Sequence, residues 1–122
     1  MIKRHIHQVP SEKLGTGQEV YRQILIGPAE APNFAMRRFV IKSGGSMPLH
    51  TNSVEHEQLV LNGKAKIVIG DRVIEVQKDD VLYIPAGVPH SYQTVGEEDF
   101  EFLCLVPNRE DDLKIVTEND NR

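Results

Sequence analysis

Cysteine is nearly absent: Cys104 is the only one in 122 residues. An intramolecular disulfide is therefore impossible, and a small disulfide-stapled secreted scaffold is excluded. Long apolar runs are missing as well, none reaching the ~18 residues of a membrane-spanning helix. The N-terminal MIKRHIHQVP is basic but has no apolar stretch behind it, so it does not read as a signal peptide. A cytoplasmic location is the expectation. Basic charge is in short supply: 14 Lys and Arg stand against 18 Asp and Glu, a net charge of −4. That balance argues against nucleic acid or an anionic membrane as partner. The chain is also too short for a (β/α)₈ barrel, which takes about 250 residues. Helical periodicity is lacking too, with no apolar 3.6-residue repeat sustained over a helix-length window.

What remains is a series of short, β-branched or alternating segments broken by Gly, Pro and Asn. Strands are expected over Glu19–Ile26, Asn33–Lys42, Met47–Asn52, Glu57–Leu61, Ala65–Ile69, Arg72–Val76, Val81–Ile84, Ser91–Val95 and Phe100–Val106. Asn62-Gly63 and Gly70-Asp71 have the chemistry of tight hairpin turns, whose central residues need positive φ. Strands of this length and spacing make a sandwich or a barrel. The barrel is expected over residues 19–107, with an N-terminal arm over 1–18. The polar tail over 108–122 is expected to fray or to pack on a neighbour.

Alternation assigns faces. Ala35, Phe39 and Ile41 share the apolar parity of their strand, and Arg37 shares it with them. An Arg there snorkels, marks a slipped register or completes an ion pair. Alternatively it projects into a cavity, where its planar fork suits a carboxylate. Five histidines occur. His5 and His7 lie in the terminal segment and read as exposed side chains. His50, His56 and His90 fall at strand ends, His90 just after the rigid Pro85-Ala86-Gly87-Val88-Pro89 loop. Three imidazoles on neighbouring strands are able to converge on one metal at about 2.0–2.2 Å each. Spacing alone also permits hydrogen-bonded core or surface histidines.

Gly44-x5-His50-x-Asn52-x3-His56-x6-Gly63 resembles the first cupin motif, G-x5-H-x-H-x3/4-E-x6-G. Asp79-x5-Pro85-x-Gly87-x2-His90-x3-Thr94 is similar to the second, G-x5-P-x-G-x2-H-x3-N. The 15 residues between Gly63 and Asp79 match the short spacing of small single-domain cupins. APNFAMRRF and EFLCLVP look like the small cupins that hold metal through four histidines, where a histidine replaces the motif glutamate as His56 does here. The resemblance implies an all-β, double-stranded β-helix (jelly-roll) barrel. It implies one divalent transition metal (Mn, Fe, Zn, Ni or Cu) at His50, Asn52, His56 and His90. It also implies a small-molecule partner and a homodimer, with Glu19–Ile26 or the Met1–Pro10 arm as the donated strand. Asn52 stands where the motif has a histidine, so its amide oxygen either ligates weakly or leaves that position to water. Asp79 and Thr94 replace a motif glycine and asparagine at a turn and on a strand.

Counting back from Gly63, the motif glutamate coincides with His56 and not with Glu57. Parity agrees, placing Glu57 behind the site or toward solvent unless a bulge intervenes. The same parity lines a pocket with Arg37, Gln58, Tyr92, Phe102 and Cys104, although plain core packing suits Phe102 and Cys104 too. Cys104 is either an inert small hydrophobe or, beside an oxidising metal, a target of oxidation. No carboxylate is placed inside, and Tyr92 is the one inward proton donor. The expected activity is a metal-dependent oxygenase or related lyase on a small chelating, anionic organic substrate. The alternatives are a binding or sensing module with a degenerate site at Asn52, and a metal-free structural barrel.

Overall fold

The computed structural model describes residues 1–117. Ten strands follow one short 3₁₀ turn at Ile6–Gln8. They are β1 (Glu12–Lys13), β2 (Gln18–Ile26), β3 (Phe34–Thr51), β4 (His56–Asn62), β5 (Lys64–Ile69), β6 (Arg72–Gln77), β7 (Val81–Ile84), β8 (His90–Val95), β9 (Phe100–Pro107) and β10 (Lys114–Ile115). The sheet runs β6-β5-β8-β3-β9-β4-β7 and is antiparallel throughout, with β2 added beside β3 and β1 beside β2. It curls into one of the two architectures that the alternating pattern allows, a barrel, with the jelly-roll form that the cupin resemblance implies.

One strand differs from expectation in a way that shapes the barrel. Asn33–Lys42 and Met47–Asn52 are not two strands split by a turn. β3 runs unbroken through Ser43-Gly44-Gly45 and pairs with β9 over Phe34–Ile41, then with β8 from Ser46 to His50. The two glycines bend it from one half of the barrel into the other. Gly44 has φ +80°, and a Cβ on Gly45 would lie 2.6 Å from the Gln18 carbonyl oxygen. The breakers were real, but they mark a bend within a strand.

The core follows the alternation. Val20, Ile41, Val60, Ile67, Ile84 and Phe100 are fully buried. Phe102 stacks against Phe39 on one side and Tyr92 on the other, with ring centroids 5.2 Å apart in each pair. Burying such a ring contributes roughly 1.5–3 kcal/mol, with aromatic contacts adding to it.

Segments near both ends of the described residues lie against the barrel. Gln23 donates to the carbonyls of Ile6 and Val9, and Arg4 forms a two-pronged ion pair with Glu30. At the other end β10 pairs with β3, Lys114 opposite Thr51 and Ile115 opposite His50. The segment after Asn108 therefore docks on its own barrel where fraying or a neighbouring chain was expected. Residues 118–122 of that tail lie outside the described residues.

Candidate functional site

A cavity of about 390 Å³ opens at the barrel end where β10 crosses β3. Strand alternation delivers its walls. β3 supplies Arg37 and His50, with Asn52 just beyond its end, and β4 supplies His56 and Gln58. β8 supplies His90 and Tyr92, and β9 supplies Phe102 and Cys104. All nine residues singled out from the sequence line this one cavity. β4 pairs with β7 in unbroken register from His56 to Leu59, so no bulge disturbs parity at the critical point. His56 is buried in the barrel, and Glu57 lies outside it in a separate depression with Glu55 and Arg109.

The three imidazoles cluster. Ring centroids are 4.2 Å apart for His50 and His90, and 5.7 Å for His56 and His90. Burial pushes all three below the ordinary histidine range, His90 to about 4. His56 falls to about 3, through burial first and the nearby Arg37 cation second. They are thus neutral at physiological pH, the form in which imidazole donates a lone pair. His50 Nδ1 is 2.7 Å from the Pro48 carbonyl oxygen and His90 Nδ1 is 3.0 Å from that of Val88. A carbonyl only accepts, so each Nδ1 carries the hydrogen and each Nε2 is left with its lone pair.

Two further acceptor-capable atoms are buried there without a hydrogen-bond partner: His56 Nε2 and Asn52 Oδ1. A buried polar atom without a partner costs about 1–3 kcal/mol, which a ligand would offset. His56 Nδ1 is 3.0 Å from Cys104 Sγ and 3.5 Å from Arg37 Nη2; in the tautomer that donates the Nδ1 hydrogen to the shorter-range sulfur, Nε2 keeps its lone pair. Among the described residues, no three His, Cys, Asp or Glu side chains are grouped to hold a metal ion as they stand. The donor set itself, imidazole nitrogens plus one amide oxygen, fits a divalent transition metal.

Behind the histidines lies a polar layer. Arg37 Nη2 donates to Cys104 Sγ at 3.2 Å, and its guanidinium sits 5.0 Å from the centre of the Phe39 ring. Arg37 Nε is buried with no partner. Gln58 and Tyr92 are hydrogen-bonded at 2.8 Å. Burial raises the Tyr92 phenol and the Cys104 thiol above their ordinary values, leaving both protonated near neutrality.

Of the cavity residues that sequence reasoning missed, Asp111 makes the contacts that bear on the site. Asp111, in the segment leading into β10, accepts a hydrogen bond from Asn52 Nδ2 at 2.7 Å and another from the Ser53 backbone N–H at 2.9 Å. It lies 59 residues from Asn52 in a polar stretch without periodicity, so no local signal pointed to it. The departure at Thr94 is also resolved: its hydroxyl donates to the Ile41 carbonyl within the core.

The family model described as Cupin domain matches residues 37–106. Among solved structures, the polyketide cyclase RemF from Streptomyces resistomycificus superposes with a TM-score of 0.84 at 29% identity, covering 98% of this chain and 90% of that one. The quercetin 2,3-dioxygenase of Bacillus subtilis (strain 168) is 34% identical over 101 residues, 71% of this chain and 30% of its own length. The xanthan biosynthesis protein XanB of Xanthomonas campestris pv. campestris (strain B100) is 31% identical over 72 residues, 57% of this chain. The match spans only 15% of that relative's length.

Proposed function

Because the chain belongs to the cupin family, we propose that it is a divalent-metal protein acting as an oxygenase or related lyase on a small, chelating, anionic organic molecule. The observation that carries this reading is the pair of unpartnered buried atoms, His56 Nε2 and Asn52 Oδ1, in the same cavity as two imidazoles whose Nε2 atoms are free. His50, His56, His90 and the Asn52 oxygen would hold the metal. When bound, the metal supplies Lewis acidity and, if redox-active, oxidative chemistry.

The chain's own side chains do the rest. Arg37 presents a guanidinium to an anionic group, and its unpartnered Nε has capacity for one more hydrogen bond. Phe39 and Phe102 form an apolar floor that excludes water from the inner cavity. Tyr92 stands at the cavity wall with its phenol hydrogen donated to Gln58 Oε1 at 3.1 Å. The names of two similar proteins support a small organic substrate: one is a quercetin 2,3-dioxygenase, the other a polyketide cyclase.

A second reading is favoured by Asn52 at a motif histidine position: a binding or sensing module whose site no longer turns over. Oxygen uptake separates the two. Protein loaded with iron or manganese and offered diketones, phenols or thiols consumes oxygen if the first reading holds, and consumes none with any metal if the second does. Metal binding has its own check. Protein purified without chelator is expected to carry close to one equivalent of divalent metal by elemental analysis. His90→Ala loses it and His7→Ala keeps it; equal retention in both contradicts the assignment.

The assembly proposed is a homodimer. Leu59 sits beside Val81 and Leu103 in register, and Leu105 lies one row away. With Tyr83 and Phe34 they form an apolar outer face, Val81 being 76% and Tyr83 57% exposed. A largely apolar patch that crosses four strands, with Glu57 between Tyr83 and Leu105, fits a second copy of the same face better than solvent.

A further inference from the structure

Asn52 occupies the position where the cupin pattern has a histidine, and its surroundings determine which end of its amide faces the cavity. Its backbone is fixed from the opposite side, because the Asn52 carbonyl accepts the Gly87 N–H at 2.8 Å. Its side chain has one hydrogen-bond partner, Asp111 Oδ2 at 2.7 Å. A carboxylate accepts and does not donate, so the amide must present its NH₂ group to Asp111. The amide oxygen is then turned the other way, where it is buried with no partner. Asp111, although exposed, is itself held from the other side. Its second oxygen accepts the Ser53 backbone N–H at 2.9 Å, and the Ser53 hydroxyl accepts the N–H of Asp112 at 2.7 Å. β10 holds the whole segment to β3 just beyond, and the Val116 N–H reaches the Leu49 carbonyl at 2.9 Å.

We propose that Asp111 is a positioning residue for the metal site: it locks the Asn52 amide with its oxygen toward His50, His56 and His90. The C-terminal segment thereby completes a donor set that the barrel alone leaves unfixed. The inference rests on the metal reading above and adds the residue that orients the non-histidine donor. An unlocked Asn rotates freely between donor and acceptor ends, and half of its orientations present hydrogens to a cation. Groups that orient a metal ligand from behind typically matter by about 10–100-fold in affinity.

Cobalt(II) binding to the full chain, followed by titration calorimetry and by the visible absorption of the bound ion, tests this. Asp111→Asn is the informative variant because it keeps the shape of the segment. Its oxygen is retained by the Ser53 N–H, so its NH₂ faces Asn52 and demands the amide oxygen, turning the Asn52 NH₂ group to the cavity. Affinity is expected to fall about tenfold or more, with an altered spectrum and an unchanged melting temperature. Adding Asn52→Asp to that variant presents an oxygen to the cavity again and restores affinity. A purely structural role for Asp111 requires Asp111→Asn to bind within twofold of the unaltered protein. That result overturns the proposal, as does a double variant as weak as Asp111→Asn alone. If the unaltered protein binds no cobalt, the metal reading falls and takes the proposal with it.

Discussion

Asp79 sits in the left-handed region, with φ +76°, at the position where the cupin pattern has a glycine. Aspartate tolerates that conformation better than most residues, yet glycine adopts it without steric cost. Its backbone N–H is fixed by the Val60 carbonyl at 2.9 Å, so the turn cannot relax. Asp79→Gly is expected to stabilise the fold by roughly 0.5 kcal/mol, and Asp79→Val to destabilise it by more than about 1 kcal/mol, both read from urea unfolding midpoints. The residue-scale placements legible in the sequence were those governed by strand parity. His56 inside and Glu57 outside follow from alternation alone, because the ladder on β7 is regular there. Arg37 admits four readings from the sequence, since parity fixes a direction and says nothing of what a side chain meets. Asp111 was not legible, because a single carboxylate delivered by a distant polar segment leaves no periodic trace.

At the scale of elements, β3 does most to position the site, carrying Arg37 at one end and His50 at the other. Its bend depends on Gly45, whose missing Cβ leaves room for the carbonyls of Gln18 and Lys42. The Gly45→Ala change is expected to shift those two strands apart and lower the melting temperature by several degrees, the size expected of about 1–2 kcal/mol in a domain this small. Periodicity located β3 but misread its continuity, since a Gly-Gly pair within a strand looks the same as one between two strands. The N-terminal arm gives a pH-dependent prediction. Hydrogen bonds from the Arg4 guanidinium, and then from the Gly27 N–H, hold the Glu30 carboxyl down to about 2. Its folded pKa lies below its unfolded one, so arm docking is favoured above the unfolded value and is lost as pH falls through about 4 to about 2. Amide hydrogen exchange over residues 4–9 is expected to accelerate across that window. Glu30→Gln should remove the dependence; an unchanged profile in that variant contradicts the assignment.

For the whole molecule, none of the residues of the apolar outer face lines the cavity, so the proposed dimer would not use the cavity's own walls. Replacing Val81 and Tyr83 with Lys on the β7 edge puts two charges in that face; light scattering is expected to report a dimer for the unaltered chain and a monomer for this variant. A dimer that survives both changes points to a different face. The barrel itself was legible from turn spacing and the two-part motif, while the docking of the C-terminal segment across its mouth was not. The central claim is that His50, His56, His90 and Asn52 hold a single metal in that mouth. The most direct measurement is anomalous diffraction at the absorption edge of a cobalt-loaded crystal. The expected result is one peak bonded to Nε2 of the three histidines and facing the Asn52 oxygen; a peak elsewhere on the chain, with none among these four side chains, would contradict it.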